Sequence, residues 1–520
     1  MSTTTTTTTT TASGWCVAGW GNGWKKMEMW PSLEQVHRAA IACGRRKRNR
    51  PDAIQFRAHY GEEVLDITRR LQSGTYQPQA GVVFIVNRPK YREIHAAHFR
   101  DRVVHHLLHH QLEPVFEKSF INDSFACRKG KGTHAAVKAL HQKMREVSRQ
   151  GHIKAYALQI DIKAFFPSMH KKTLMELLES KRQLIANARE VLNLARIIIE
   201  QDMSASALRL GNPQRFHHVP SHKRLGARGS EYGLPIGNLT SQFFGNVYLN
   251  ALDQFIKRTL GVRHYVRYCD DAVLLHTDPK QLLIWESAIR TFLKQRLHLE
   301  LHDKSILKPI SQGVDFLGYI VRPDYLLPRH RVIKNAEQRI SELEEPLAPQ
   351  VLQNHEVWPI DSDKIQQLRS SWASYGGHFK HADSYRSLRR LWEKHPISQF
   401  YLTLNRSFKP RFALFGLDAS WKDQVRRLSV GIQKAVLMIE VGCYVECPLA
   451  RDINRLKLRP KKRKRGRLKA GFRQHKTDRF IQRCLHKGWS VVLALQASFR
   501  AGSLYVRKLA SIFVPQKSEL

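Results

Sequence analysis

The chain has 520 residues, enough for about three domains that each bury a core. Its 86 Lys and Arg against 44 Asp and Glu leave a formal charge of +42, so the expected partner is a polyanion. Nucleic acid fits better than an anionic membrane, because phosphate neutralisation draws affinity from charge alone and no run of about 18 apolar residues is present to span a bilayer.

The chain opens on a threonine run at residues 3–11 with neither a basic n-region nor an apolar h-region, so it reads as low-complexity sequence and not a signal peptide. A Trp/Gly-rich stretch (Trp15, Trp20, Trp24, Trp30) and a helical segment ending in the basic run 45–50 complete an N-terminal extension of residues 1–51. From 52 to 328, helical periodicity alternates with short β-rich runs at 82–86, 156–160 and 264–268. Residues 329–408 read as mostly helical, with apolar stripes at 335–347, 364–375 and 382–394. A second α/β stretch, 409–520, carries the basic run 457–469 between strand-like segments at 435–441 and 490–495. The seven cysteines (Cys16, Cys43, Cys127, Cys269, Cys443, Cys447, Cys484) form no CxxC pair. That argues against a disulfide framework or a zinc site, and for a reducing cytoplasm.

Two segments carry acids in a way that points to chemistry. In YALQIDIKAFF (156–166) an apolar strand delivers Asp161 at its end, ahead of two aromatics. In HYVRYCDDAVLLH (264–276) two apolar strands flank a tight turn holding Asp270 and Asp271. Adjacent aspartates in one turn are usually turn formers. Together with Asp161 they make the ligand set that phosphoryl transfer to a growing strand needs. That reaction uses two divalent ions, one activating the 3′-hydroxyl and one holding the triphosphate. Magnesium takes carboxylate oxygens and keeps positions open for phosphate and water, with manganese as its substitute. Asp161 and Asp270 are the expected bridging ligands, with Asp271 beside them and the Ile162 carbonyl as a backbone ligand.

Between the acid segments, GLPIGNLTSQFFGNVYLN (233–250) leads from a glycine turn into an amphipathic helix. Here the chain resembles the reverse transcriptases of bacteria, and the resemblance extends in register over about 52–405. It implies an α/β (α+β) right-hand polymerase of fingers, palm and helical thumb, copying a template RNA into cDNA. Asp161 lies in what resembles motif A, and Gly237, Ser241 and Gln242 in motif B. Tyr268-Cys-Asp270-Asp271 resembles motif C. Asp303-Lys304 resembles motif D, whose lysine protonates the leaving pyrophosphate. Phe316 and Gly318 lie in a segment similar to the primer grip, Arg128 in one similar to a template-contacting motif, and Lys90 and Arg92 in the fingers, where cations hold the incoming dNTP. Phe166 matches the residue that blocks a ribose 2′-hydroxyl. An RNA polymerase would want a smaller residue there.

Motif B departs from most families. Ile236-Gly237 and Ser241-Gln242 stand where Gln-Gly and Ser-Pro are usual, which resembles the enzymes of diversity-generating retroelements. WASYGGHFKHAD (372–383) in the thumb resembles theirs as well. That resemblance implies misincorporation at template adenines, transfer of the cDNA to a variable gene, and a small, basic, oligomeric accessory variability protein as partner. Anti-phage defence reverse transcriptases share much of the pattern, while the missing Gln-Gly and HNH motif disfavour a group II intron maturase. A polymerase fold kept as a non-catalytic nucleic-acid scaffold is the non-enzymatic alternative. Residues 409–520 resemble the N-terminal mismatch-recognition domain of MutS. Tyr444 and Glu446 hold the positions of its Phe-x-Glu wedge, with Tyr for Phe and Gly442-Cys443 for Gly-Asp. The absence of GxxxxGK[ST] excludes MutS-type ATPase action.

Overall fold

The computed structural model describes residues 29–412, except 46, 48, 49, 88, 89, 304, 353, 354, 360 and 406. It also describes 435–515, except 442, 443, 460, 463–467, 502 and 503. The threonine run, Trp15, Trp20, Trp24, Cys16, Lys304, Gly442, Cys443 and the middle of the basic run fall outside the described residues. Two compact units interleave along the chain: Met1–Ile121, Ile162–Ile256 and Ile289–Leu301 form one, and Asn122–Asp161, Lys257–Ala288 and His302–Leu520 the other.

The first unit is helical with one small sheet. Its first described helix, Leu33–Gly44, starts where the sequence supplies a capping box: the Ser32 hydroxyl accepts from the Gln35 N–H while the Gln35 side chain accepts from the Ser32 N–H. The helix Phe99–Glu117 buries Val103, Val104, Leu107, Leu108 and Leu112, and packs on the helix Leu239–Gln254. The latter is buried nearly all round (Phe243, Phe244, Val247, Tyr248, Leu249, Leu252), as befits a central helix. The buried Tyr248 hydroxyl donates to the Leu297 carbonyl at 2.6 Å. Strand Val82–Val86 pairs antiparallel with Arg92–Ala96 and, on its other edge, parallel with Leu208–Arg209.

The second unit holds a four-stranded antiparallel sheet in the order His264–Tyr268, Asp271–His276, Tyr156–Asp161, Ile306–Pro309. The helix Thr133–Val147 covers it, and Leu140, Met144, Val266, Val273, Phe316 and Tyr319 share one buried cluster. The helices His330–Glu344, Ser362–Phe379 and Tyr385–Glu393 close around Trp372, whose indole N–H donates to Ser398 Oγ at 2.8 Å. The buried Glu344 carboxylate is satisfied by His395 Nδ1 at 2.6 Å and the Ser398 N–H at 2.7 Å.

The stretch read as mostly helical also contains a hairpin, Gln350–Leu352 with His355–Pro359. Its second strand pairs with Leu504–Pro515 and makes the hairpin one edge of a seven-stranded C-terminal sheet. The partner strand lies some 150 residues further along, so no local periodicity announces the pairing. In the rest of that sheet Val436–Val441 runs parallel to Val491–Ala501 and antiparallel to Tyr444–Glu446. No described helix is long and apolar enough to cross a membrane.

Candidate active site

The register of the four-stranded sheet brings the motif A and motif C acids together. Tyr156–Asp161 pairs with Asp271–His276 so that Asp161 lies directly opposite Asp271, and Tyr268 faces Asp271 from the other side. Opposed Cα atoms in such a pair are about 5 Å apart. Like charges directly opposite are destabilising in a sheet, so this pairing favours a cation between them. Asp270 sits in the two-residue loop Cys269-Asp270 that joins the hairpin strands. Cys269 adopts φ 57°, the left-handed conformation a primed hairpin turn demands and one that a side chain normally resists.

Arg267 accounts for how that turn is held. It is only 1% exposed, and its guanidinium donates to the Cys269 carbonyl at 3.0 Å and to Ser124 Oγ at 2.9 Å. The Arg267 N–H donates to the Asp123 carbonyl, and the Phe125 N–H to the Arg267 carbonyl. The loop 122–132 is thus bonded to the back of the acid turn. Thr133 Oγ1 adds a bond to the Tyr268 hydroxyl at 3.2 Å. Arg128 in this loop is half-buried, with Nη1 donating to the Ser124 carbonyl at 2.8 Å. Burial, with Asp270 alongside, pushes the Cys269 thiol well up, so it stays protonated.

The Asp161 side chain is 49% exposed and has His302 Nε2 at 3.9 Å, while its carbonyl accepts from the His302 N–H at 2.9 Å. Ile162 is buried and bridges Leu301. Among the described residues no three carboxylate, imidazole or thiol groups converge closely enough to hold an ion as they stand. Asp161, Asp270 and Asp271 nonetheless provide an all-oxygen donor set at the end of one sheet, the chemistry that suits a magnesium ion. Phe316 is 2% exposed in the core of the next hairpin. That hairpin turns through Leu317 and Gly318, both at positive φ (51° and 90°), as a type I′ turn requires.

In the first unit the candidate nucleotide-binding residues are joined by backbone bonds. The Leu234 N–H donates to the Phe166 carbonyl at 2.9 Å, and the His95 N–H to the Ile236 carbonyl at 2.8 Å. Gly237 has φ 129°, and a Cβ there would come within 2.9 Å of the His95 carbonyl, so the motif B glycine is required on both counts. Asn238 is buried and accepts from the Ala97 N–H at 3.1 Å, fixing the start of the helix Leu239–Gln254. In that helix Ser241 is buried and Gln242 exposed. Lys90 and Arg92 are exposed on the hairpin that ends at Ala96, and Phe166 is half-buried against Phe165.

Reading the sequence missed Arg267, Asn238 and the His105–Thr240 bond (3.0 Å) that ties the helix Phe99–Glu117 to Leu239–Gln254. Arg267 had a signal: it is a charge at an inward position of an otherwise apolar strand. In the C-terminal sheet Tyr444 is 45% exposed, whereas Glu446, two residues on, is 7% exposed.

Residues 85–321 match the family described as reverse transcriptase (RNA-dependent DNA polymerase). Residues 85–321 therefore form a reverse transcriptase domain, the kind that acts as an RNA-directed DNA polymerase. Protein YkfC of Escherichia coli K12 is 24% identical over 321 residues, which are 54% of this chain and 77% of that one. The group II intron-encoded protein LtrA of Lactococcus lactis is 21% identical over 327 residues, half of each chain. Among solved structures, apo telomerase from Candida tropicalis aligns with a TM-score of 0.38 and 10% identity over 65% of each chain.

Proposed function

We propose that the protein makes cDNA from a template RNA by two-metal nucleotidyl transfer, with Asp161, Asp270 and Asp271 holding two Mg²⁺ ions. The observation that carries this is the cross-strand opposition of Asp161 and Asp271 beside the Asp270 turn. When bound, the ions supply charge neutralisation for the triphosphate and lower the pKa of the primer 3′-hydroxyl. The chain's own residues do the rest. Arg267 keeps the acid turn in place, Lys90 and Arg92 offer exposed cations to the triphosphate, and Phe166 crowds the sugar 2′-position. Lys304 would protonate pyrophosphate, and the Ile162 carbonyl would complete a metal shell. Arg128, Gln242, Tyr268 and Gly318 would line the path of template and primer, and the buried Ser241 and Phe316 would support it from beneath.

The fidelity reading rests on Ile236. Its backbone carbonyl is used by His95, and its side chain offers no hydrogen bond to a nascent base pair where other families carry glutamine. Losing one such contact is worth about 1 kcal/mol, or about fivefold in discrimination. This supports error-prone copying of template adenines in a diversity-generating retroelement, with a basic accessory protein as partner. Tyr444, exposed on its strand, supports a mismatch wedge, but the burial of Glu446 means its carboxylate would have to be uncovered to meet a base.

Primed synthesis on an adenine-containing RNA with Mg²⁺ and dNTPs, with products sequenced, tests the reading. DNA product with errors concentrated opposite adenine is expected, and Ile236→Gln should lower that error about fivefold. Faithful product would favour a defence enzyme. No product even with the native RNA and accessory protein supplied would leave only a scaffold.

A further inference from the structure

The first unit contains a stretch that the polymerase reading does not use. Between Asp202 and Glu231 there is no acid, while Arg209, Arg215, Lys223, Arg224 and Arg228 fall within it together with His217, His218 and His222. A basic stretch is usually a solvated loop. The structure gives it more definition. The Leu208 N–H donates to the Gly81 carbonyl at 2.9 Å, and the Leu210 N–H to the Val83 carbonyl at 2.8 Å, which stitches it to the strand Val82–Val86. The Leu225 N–H donates to Glu93 Oε2 at 3.2 Å. Arg224 is spent internally, donating to the Val219 carbonyl at 3.1 Å and the Phe216 carbonyl at 3.0 Å.

The remaining cations are left over. Arg209, Arg215 and Arg228 are exposed, and among the described residues none of them enters an ion pair. Rings alternate with them. Arg209 lies over Phe216 at 5.5 Å, Arg228 over Tyr232 at 4.8 Å, and Tyr91 is stacked on His218 at 4.8 Å. Tyr91 is itself 38% exposed. A shallow cavity of about 220 Å³ between Phe84, Ile85, Leu210 and Arg215 sets an apolar wall beside a guanidinium.

We propose that residues 203–230, with Tyr91 and Tyr232, form a binding surface for single-stranded RNA. Anchored cations without counter-acids repel one another until a polyanion neutralises them. Interleaved rings then favour a strand whose bases are unpaired and free to stack, since a duplex offers no base faces. The polymerase reading enters only in the choice of RNA over DNA.

The test is fluorescence anisotropy of the full chain with a labelled, unstructured 20-nucleotide RNA over a salt series. An Arg209→Gln, Arg215→Gln, Arg228→Gln variant should bind about tenfold more weakly, with a log–log salt slope shallower by about 2, since each phosphate contact on a single strand contributes about 0.7. Unchanged affinity and slope would sink the surface. An equal loss on a fully paired RNA duplex would sink the single-strand assignment. Should the variant not fold, 4-thiouridine RNA cross-linked to the unaltered chain should map to peptides within 203–232, and cross-links confined elsewhere would refute the proposal. An Asp270→Asn, Asp271→Asn chain should keep the full salt slope. A protein that binds this way but never extends a primer would keep the surface and lose the polymerase. One that extends normally while the arginine variant binds unchanged would do the reverse.

Discussion

The four-stranded sheet and the helix Phe99–Glu117 both crowd like titratable groups, and they resolve the crowding in opposite ways. The sheet sets Asp161 opposite Asp271 at the exposed ends of its two inner strands and braces the adjoining turn with the buried Arg267. The helix puts four histidines in six residues, and burial holds His105 near pKa 3 and His106 near 4, below the usual 6.5. Packed imidazoles give up their charge, because desolvation penalises the protonated form. Exposed carboxylates on opposed strands instead create a place for a cation. A cluster of titratable groups therefore reads as a site only when the fold leaves it open.

Removing an acid has the largest expected effect. Asp271→Asn or Asp270→Asn should cut primer extension at least about 10³-fold, as expected for loss of a metal ligand worth about 4 kcal/mol. Asp271→Asn should leave the thermal midpoint unchanged or slightly raised, because a like-charge pair is relieved. A midpoint that falls sharply would mean the acids serve the fold. Next comes the buried cation. Arg267→Met strands the Cys269 carbonyl and Ser124 Oγ, and should cost about 3 kcal/mol in denaturant unfolding. The enzyme that remains folded should lose kcat with KM for dNTP little changed, and an unaltered kcat would remove Arg267 from the turn's support.

The buried histidines make the fold sensitive to acid. The folded-state pKa of His105 lies below its unfolded value, so the unfolded chain binds the extra proton. Its contribution is complete above about pH 6.5 and is lost as pH falls toward 3, by about 1.4 kcal/mol per pH unit. Unfolding free energies between about pH 6 and 4 should show this slope, and it should flatten in His105→Asn. A variant with the same slope as the original chain would assign the acid sensitivity elsewhere.

What the sequence disclosed follows the same division. The acid strands were legible because both their apolar alternation and their chemistry are local: 156–161 and 264–276 each announce a strand and what it carries. The motif B turn was legible through Gly237, whose conformation admits no side chain. Arg267 and Asn238 were not singled out, because their partners, Ser124 and Ala97, lie more than a hundred residues away in the chain. The hairpin Gln350–Leu352 and His355–Pro359 escaped for the same reason. At Tyr444 and Glu446 the motif suggested one shared role, and burial separates the two residues.

That hairpin has a consequence in time. His355 pairs with Pro515, so the edge of the hairpin has no partner until about 160 further residues have been made. At roughly 5–20 residues per second a ribosome needs about 8–32 s to deliver them. Throughout that interval the nascent chain presents an unpaired strand edge, the kind of surface on which chains pair wrongly. The strand Leu504–Pro515 is the one that closes it, so a ribosome that stalls before reaching it would hold a chain whose reverse transcriptase domain is already made but whose sheet is still open.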